Sequence, residues 1–198
     1  MLYPTQCCDG VLHSLAGPQL QLQLSSAPVT LSTTAPAYTW GEDLAAQELC
    51  PVGSAVVTPT GGTALAKTGY SAVAHTPPPL YPALREPEEE DQLREQWREC
   101  LASCYTTAIS ALVAWHTGGG SGAGGLCIAS PLLGCGARGA PVEEGAEAAA
   151  QGLLDLVLAP GPGLPCHTTV GLFTRDNKEA GIVGGVFSRT LGLTAVLQ

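Results

Sequence analysis

Between residues 89 and 115 large apolar side chains recur every three or four positions, at Leu93, Trp97, Leu101, Tyr105, Ile109 and Leu112. That period lines one face of an α-helix with apolar surface, and a helix of this length needs a second layer to cover it. The acidic run Glu86 to Asp91 sits at its start, where the helix dipole favours negative charge. Short apolar runs on either side supply the covering layer. Ser54–Thr58 and Tyr70–His75 precede the helix, and Leu126–Ser130 and Thr168–Phe173 follow it; all have the length of buried strands and are bounded by turn residues. A second helix is predicted over Val142–Leu158, with Glu143 and Glu144 in its first turn. Shorter ones are predicted at Val11–Ala16, ended by Gly17-Pro18, and at Glu42–Leu49. Strands alternating with helices predict an α/β layered fold, and 198 residues fit one domain.

The segments between these elements are turn-rich. Ser25–Tyr38 reads as a loop of Ser, Thr, Ala and Pro, with Val29–Thr33 as a candidate edge strand. Pro77–Pro79 and Pro82 interrupt regular structure before the long helix, and the tract Gly118 to Gly125 reads as a flexible linker. That tract lacks the lysine and hydroxyl residue of a phosphate-binding P-loop.

Charge narrows the partners. Eight Lys and Arg against 17 Asp and Glu give a net charge of -9, which argues against nucleic acid or an anionic membrane as a charge-driven partner. No apolar run reaches the roughly 18 residues of a spanning helix, and the first residues do not resemble a secretory signal. The eight cysteines are scattered and include no Cys-x-x-Cys pair, so they are expected to be thiols in an intracellular compartment, cytoplasm or nucleus, with no metal.

One stretch carries the expected chemistry. Strand Leu126–Ser130, the glycine loop Pro131–Pro141 and helix Val142–Leu158 form the arrangement that presents backbone N–H groups to an anion. Gly134, Cys135, Gly136, Ala137 and Arg138 would offer the donors, and Arg138 either adds charge or points to solvent. Cys135, in a glycine loop before a helix, is placed for a lowered thiol pKa but has no identified partner base. His75 titrates near neutral pH in principle, yet a lone histidine on a strand reads first as structural, and His13, His116 and His167 assemble no triad. Phe173 by itself reads as core.

Three stretches together resemble the macro domain family of ADP-ribose-binding α/β proteins. Cys50–Pro59 and Ala72–Pro79 are similar to its "C-x-x-G-x-A-x-x-T" and "I-I-H-x-x-x-P" strands. Ile128–Pro141 resembles the segment that wraps the diphosphate and distal ribose, and Ala16-Gly17-Pro18-Gln19-Leu20 resembles the end of the first family helix. The resemblance implies a three-layer α/β/α fold with a mixed central sheet that lacks an N-terminal strand. It implies one domain over 1–198, with its core at 9–24 and 42–177, an irregular insertion at 25–41 and a glycine-rich loop at 117–125. The ligand-binding residues it implies are Gly10, Val11, Gly134, Cys135, Gly136, Ala137, Arg138, Phe173 and Asn177, the last two near the adenine, with no catalytic residue, metal or cofactor.

The chain departs from the family pattern in places that matter for chemistry. The Asp that ends the family's first strand and the "N-A-A-N" segment have no counterpart, and "G-G-G-V" is reduced to Asp9-Gly10-Val11. Ala137-Arg138 stands where an aliphatic residue and an aromatic are usual. The resemblance therefore implies a degenerate binding module for ADP-ribose or ADP-ribosylated protein. A macro-fold scaffold without a pocket and a weak ADP-ribosyl hydrolase are the alternatives.

Overall fold

The computed structural model of the chain describes residues 8–38, 40–41, 50–82, 87–120, 125–159, 164–165 and 167–192. The predicted helix at Glu42–Leu49 lies outside the described residues. Helix α1, Cys8–Ala16, is followed after Gly17 by helix α2, Pro18–Ser26. Gly17 takes a φ of 75°, which a side chain resists, and Pro18 at the first helical position has its ring geometry preset for the new helix. The sequence predicts an end to helical structure at Gly17-Pro18; the same two residues that stop α1 start α2.

Strands β1 (Val29–Thr30), β2 (Ala55–Pro59) and β3 (Ala72–His75) form an antiparallel sheet in that order. Strands β4 (Cys127–Pro131) and β5 (Thr169–Phe173) form a parallel pair. Both antiparallel and parallel pairing are thus present, but among the described residues no ladder joins the two groups. The segment 25–41 is less irregular than predicted, because Ser25 and Ser26 close α2 and Val29–Thr30 pairs with β2.

Helix α3 spans Pro87–Trp115, and helices α4, Val142–Leu158, and α5, Asn177–Leu191, follow. The expected stripe of α3 is inside, with Trp97, Leu101, Tyr105 and Ile109 all buried. Burial goes further than a stripe: every residue from Cys100 to Tyr105 is buried. The cause is position, since α3 packs against β2 and β3 on one side and against α4 on the other. On the opposite face of the antiparallel sheet, Ala16 and Leu20 of α1 and α2, with Leu65, form a second apolar cluster against Val73. Side chains alternate along β3, so Val73 and His75 face this cluster while Ala72 and Ala74 face the other way. Helices on both sides of the strands give the expected α/β/α layering.

Helix α4 is built from small residues where it meets its neighbours: Gly145, Ala146, Ala148, Ala149, Ala150 and Gly152 are buried. At Gly152 the two backbones approach so closely that a Cβ would overlap the Ala102 carbonyl oxygen of α3. The Thr106 hydroxyl donates to the Gly152 carbonyl at 2.9 Å across this contact. Helix α5, absent from the sequence reading, is capped by the Asp176 carboxylate, which accepts from the Glu179 N–H at 2.9 Å, and ends at Gly192 with φ 64°. Its Val183 and Val186 are buried in the main core.

Candidate ligand-binding site

The loop between β4 and α4 is a set of tight turns held from below. The Gly139 N–H donates to the Gly136 carbonyl and the Ala140 N–H to the Gly134 carbonyl, each at 3.0 Å. Gly134 and Gly139 adopt φ of 79° and 81°, and Gly134 lies over Leu101, so both positions require glycine. Two tyrosines anchor the loop to the core. The Tyr105 hydroxyl of α3 accepts from the Leu133 N–H at 2.8 Å, and the Tyr81 N–H donates to the Arg138 carbonyl at 2.9 Å. None of these bonds uses the N–H of Gly134, Cys135, Gly136 or Ala137, and Gly136 and Ala137 are exposed.

The helix that follows is less available to an anion than the sequence suggests. Its first turn already holds two carboxylates, and both are engaged: Glu144 accepts from the Tyr81 hydroxyl at 2.7 Å, and Glu143 pairs with Arg189 at 3.1 Å. The positive end of the α4 dipole is thereby offset by the chain itself, which leaves less of it for an anion than the sequence pattern predicts. Arg138 does not point to solvent. It is half-buried, and its guanidinium is near enough to the buried Cys104 thiol to act on its pKa.

The other predicted residues divide into two groups. Phe173 lies beside the loop, since its carbonyl accepts from the Leu132 N–H at 3.2 Å. It is 63% exposed, which corrects the reading of Phe173 as core and leaves an aromatic face at the loop margin. Asn177 is exposed at the first position of α5, near Arg175 and Glu179. Gly10 and Val11 both lie in α1, Gly10 buried and Val11 exposed, so neither stands in a glycine loop of its own. Cys135 is corrected as well. Burial, and next the Glu179 carboxylate, push its thiol pKa up to about 11, the opposite of the lowering that its place before a helix predicts.

A second cluster gathers where α1 meets β3. Asp9 and His13, one turn apart, place Oδ1 and Nε2 3.4 Å from each other, and the His13 and His75 rings are 6.1 Å apart between centroids. The His75 Nε2 shares a 2.9 Å hydrogen bond with the buried Thr58 hydroxyl. Burial, with the His13 charge second, holds the His75 pKa down to about 4, so the ring is neutral at neutral pH. The sequence reading assembles nothing around His13. The spacing of Asp9 and His13 on a predicted helix is the available signal, but only the β3 register brings His75 to it.

The sequence model of the family described as "Macro domain" matches residues 1–149. The chain belongs to the macro domain family. A search of curated proteins finds no match. Among solved structures the chain is similar to a point mutant of the Oceanobacillus iheyensis macrodomain with ADPR, at 19% identity and a TM-score of 0.58, covering 94% of this chain and 79% of that one. The Oceanobacillus iheyensis macrodomain with ADP matches at 22% identity and a TM-score of 0.58, covering 94% and 77%. At this level of identity the likeness establishes the α/β/α fold.

In this macro domain the loop depends on a residue, Tyr105, that sequence reasoning assigns to packing alone. Tyr105 is 2% exposed, and only its hydroxyl reaches the Leu133 N–H. Tyr105→Phe keeps the ring and strands that N–H, so a loss of about 1–3 kcal/mol is expected, measurable by urea unfolding. Amide exchange in 132–140 should rise in the same variant, whereas an unchanged loop would show that the bond does not hold it.

Proposed function

We propose that this domain binds ADP-ribose, free or attached to protein, through the β4–α4 loop. The observation that carries the reading is the pair of exposed residues Gly136 and Ala137, whose N–H groups lie outside the bonds that close the loop. A diphosphate is a suitable acceptor for adjacent backbone donors, and the exposed Phe173 ring beside the loop offers a face for a base or ribose. Macrodomain structures of the same fold, solved with ADPR and with ADP, support the same class of ligand. The setting proposed for it is intracellular, cytoplasm or nucleus, where cysteines stay reduced.

The test is calorimetric titration of the full chain with ADP-ribose, with AMP as the control for adenine affinity alone. Saturable binding, tighter for ADP-ribose than for AMP, is expected. A Cβ at Gly136 meets no atom within 4 Å, so Gly136→Glu fits sterically and sets a carboxylate among the donors. Like-charge repulsion should weaken binding by about a hundredfold with no change in the unfolding midpoint. A folded chain that gives no heat with ADP-ribose overturns the reading and favours a scaffold that meets protein partners by another surface.

A further inference from the structure

We infer that Asp9, His13 and His75 form a binding site for a divalent transition-metal ion, zinc foremost, that ties α1 to β3. One donor atom from each of the three residues lies within 4.8 Å of the other two. Four-coordinate zinc holds nitrogen and oxygen ligands at about 2.0–2.2 Å, which separates them from one another by roughly 3.5 Å. The Asp9 and His13 atoms are already at 3.4 Å, and modest side-chain rotations bring the third into place. Two imidazoles and a carboxylate are a donor set that suits zinc, and three protein ligands leave a fourth position for water.

The surroundings are those of a built site. Asp9 and His13 are one helical turn apart and so share a face of α1. That helix is fixed against β3 by the cluster in which Leu12, Ala16 and Val73 take part, so the approach of His75 is set by packing rather than by the ion. Thr58, fully buried, holds His75 through Nε2, and the ring keeps a second nitrogen, Nδ1, outside that bond. An outer hydrogen bond of this kind orients a ligating histidine. The His13 side chain is 12% exposed and that of Asp9 39%, so an ion can enter past Asp9. The site shares no residue with the β4–α4 loop, and its test reads metal rather than nucleotide.

The full chain, stripped with a chelator, would be titrated with Zn²⁺ against a chromophoric chelator and with Co²⁺ by visible absorbance. One equivalent per chain is expected, with a tetrahedral Co²⁺ spectrum that lacks a thiolate charge-transfer band. Zn²⁺ should also raise the melting temperature. Asp9→Asn, at the exposed end of the cluster, and His13→Gln should each remain folded by circular dichroism and weaken binding by roughly tenfold or more. No saturable binding by the folded chain overturns the site, as does unchanged affinity in both variants. A thiolate band does so too, because it would place the ion on cysteines instead.

Discussion

Gly152→Ala is expected to destabilise the domain, although alanine is the better helix former. In an exposed helix interior the exchange of glycine for alanine gains up to about 1 kcal/mol. At Gly152 the new Cβ would overlap the Ala102 carbonyl oxygen and approach its carbonyl carbon to 3.1 Å and its Cα to 3.2 Å. These are backbone atoms in the stretch of α3 that is buried from Cys100 to Tyr105, so they yield only if α3 and α4 separate. Overpacking of this kind costs roughly 1–3 kcal/mol, and separation also breaks the Thr106 bond to Gly152, so the steric term wins and a net loss of about 2 kcal/mol is expected. Gly181 in α5 is the control: no atom lies within 4 Å of its Cβ position, and Gly181→Ala should stabilise by up to about 1 kcal/mol. Urea midpoints that shift in the same direction for both would show that the α3–α4 contact is looser than described.

Trp97→Ala should cost more, about 3–5 kcal/mol, by removal of the largest fully buried side chain. Its ring meets Tyr81 edge-on, with centroids 5.0 Å apart and planes at 86°. Tyr81 in turn donates through its N–H to the Arg138 carbonyl and through its hydroxyl to Glu144. Loss of Trp97 therefore opens a cavity beneath the residue that anchors one end of the β4–α4 loop. The variant is expected to lower the melting temperature and also to weaken ADP-ribose binding where the remaining protein is folded. Trp97→Phe should lose less, because a ring stays and the Trp97 Nε1, buried with no partner among the described residues, goes. Equal losses in both variants would mean that ring volume is not what supports Tyr81.

The elements that can be read from the chain are those whose pattern is local. Helix α3 announces itself through Leu93 to Leu112, and Val142–Leu158 emerges with the bounds predicted. Helix α5 is readable too, although the sequence reading passes over it: Asp176 with Glu179 three residues on is a capping signal, Val183 and Val186 share a face, and Gly192 is a stop. Other features depend on distant partners and leave no local mark. Nothing in Cys100 to Tyr105 says that a sheet and a second helix will bury both sides. The site divides in the same way. The Gly134 to Arg138 loop is legible as a glycine run between strand and helix. Its supports are not: Tyr81 stands 63 positions from Glu144 and Tyr105 stands 28 from Leu133, and before the chain folds both are visible only as apolar residues.

The two tyrosine bonds have a consequence for the thermodynamics of any ligand at this loop. A free glycine loop would have to be ordered on binding, and that loss of conformational freedom would subtract from affinity. Here the turns are closed by their own hydrogen bonds and clamped at Leu133 and Arg138 before anything arrives. The ordering entropy is lost when the chain folds, so recognition at Gly136 and Ala137 starts from a surface already shaped, and the stability of the core sets how well the loop can bind.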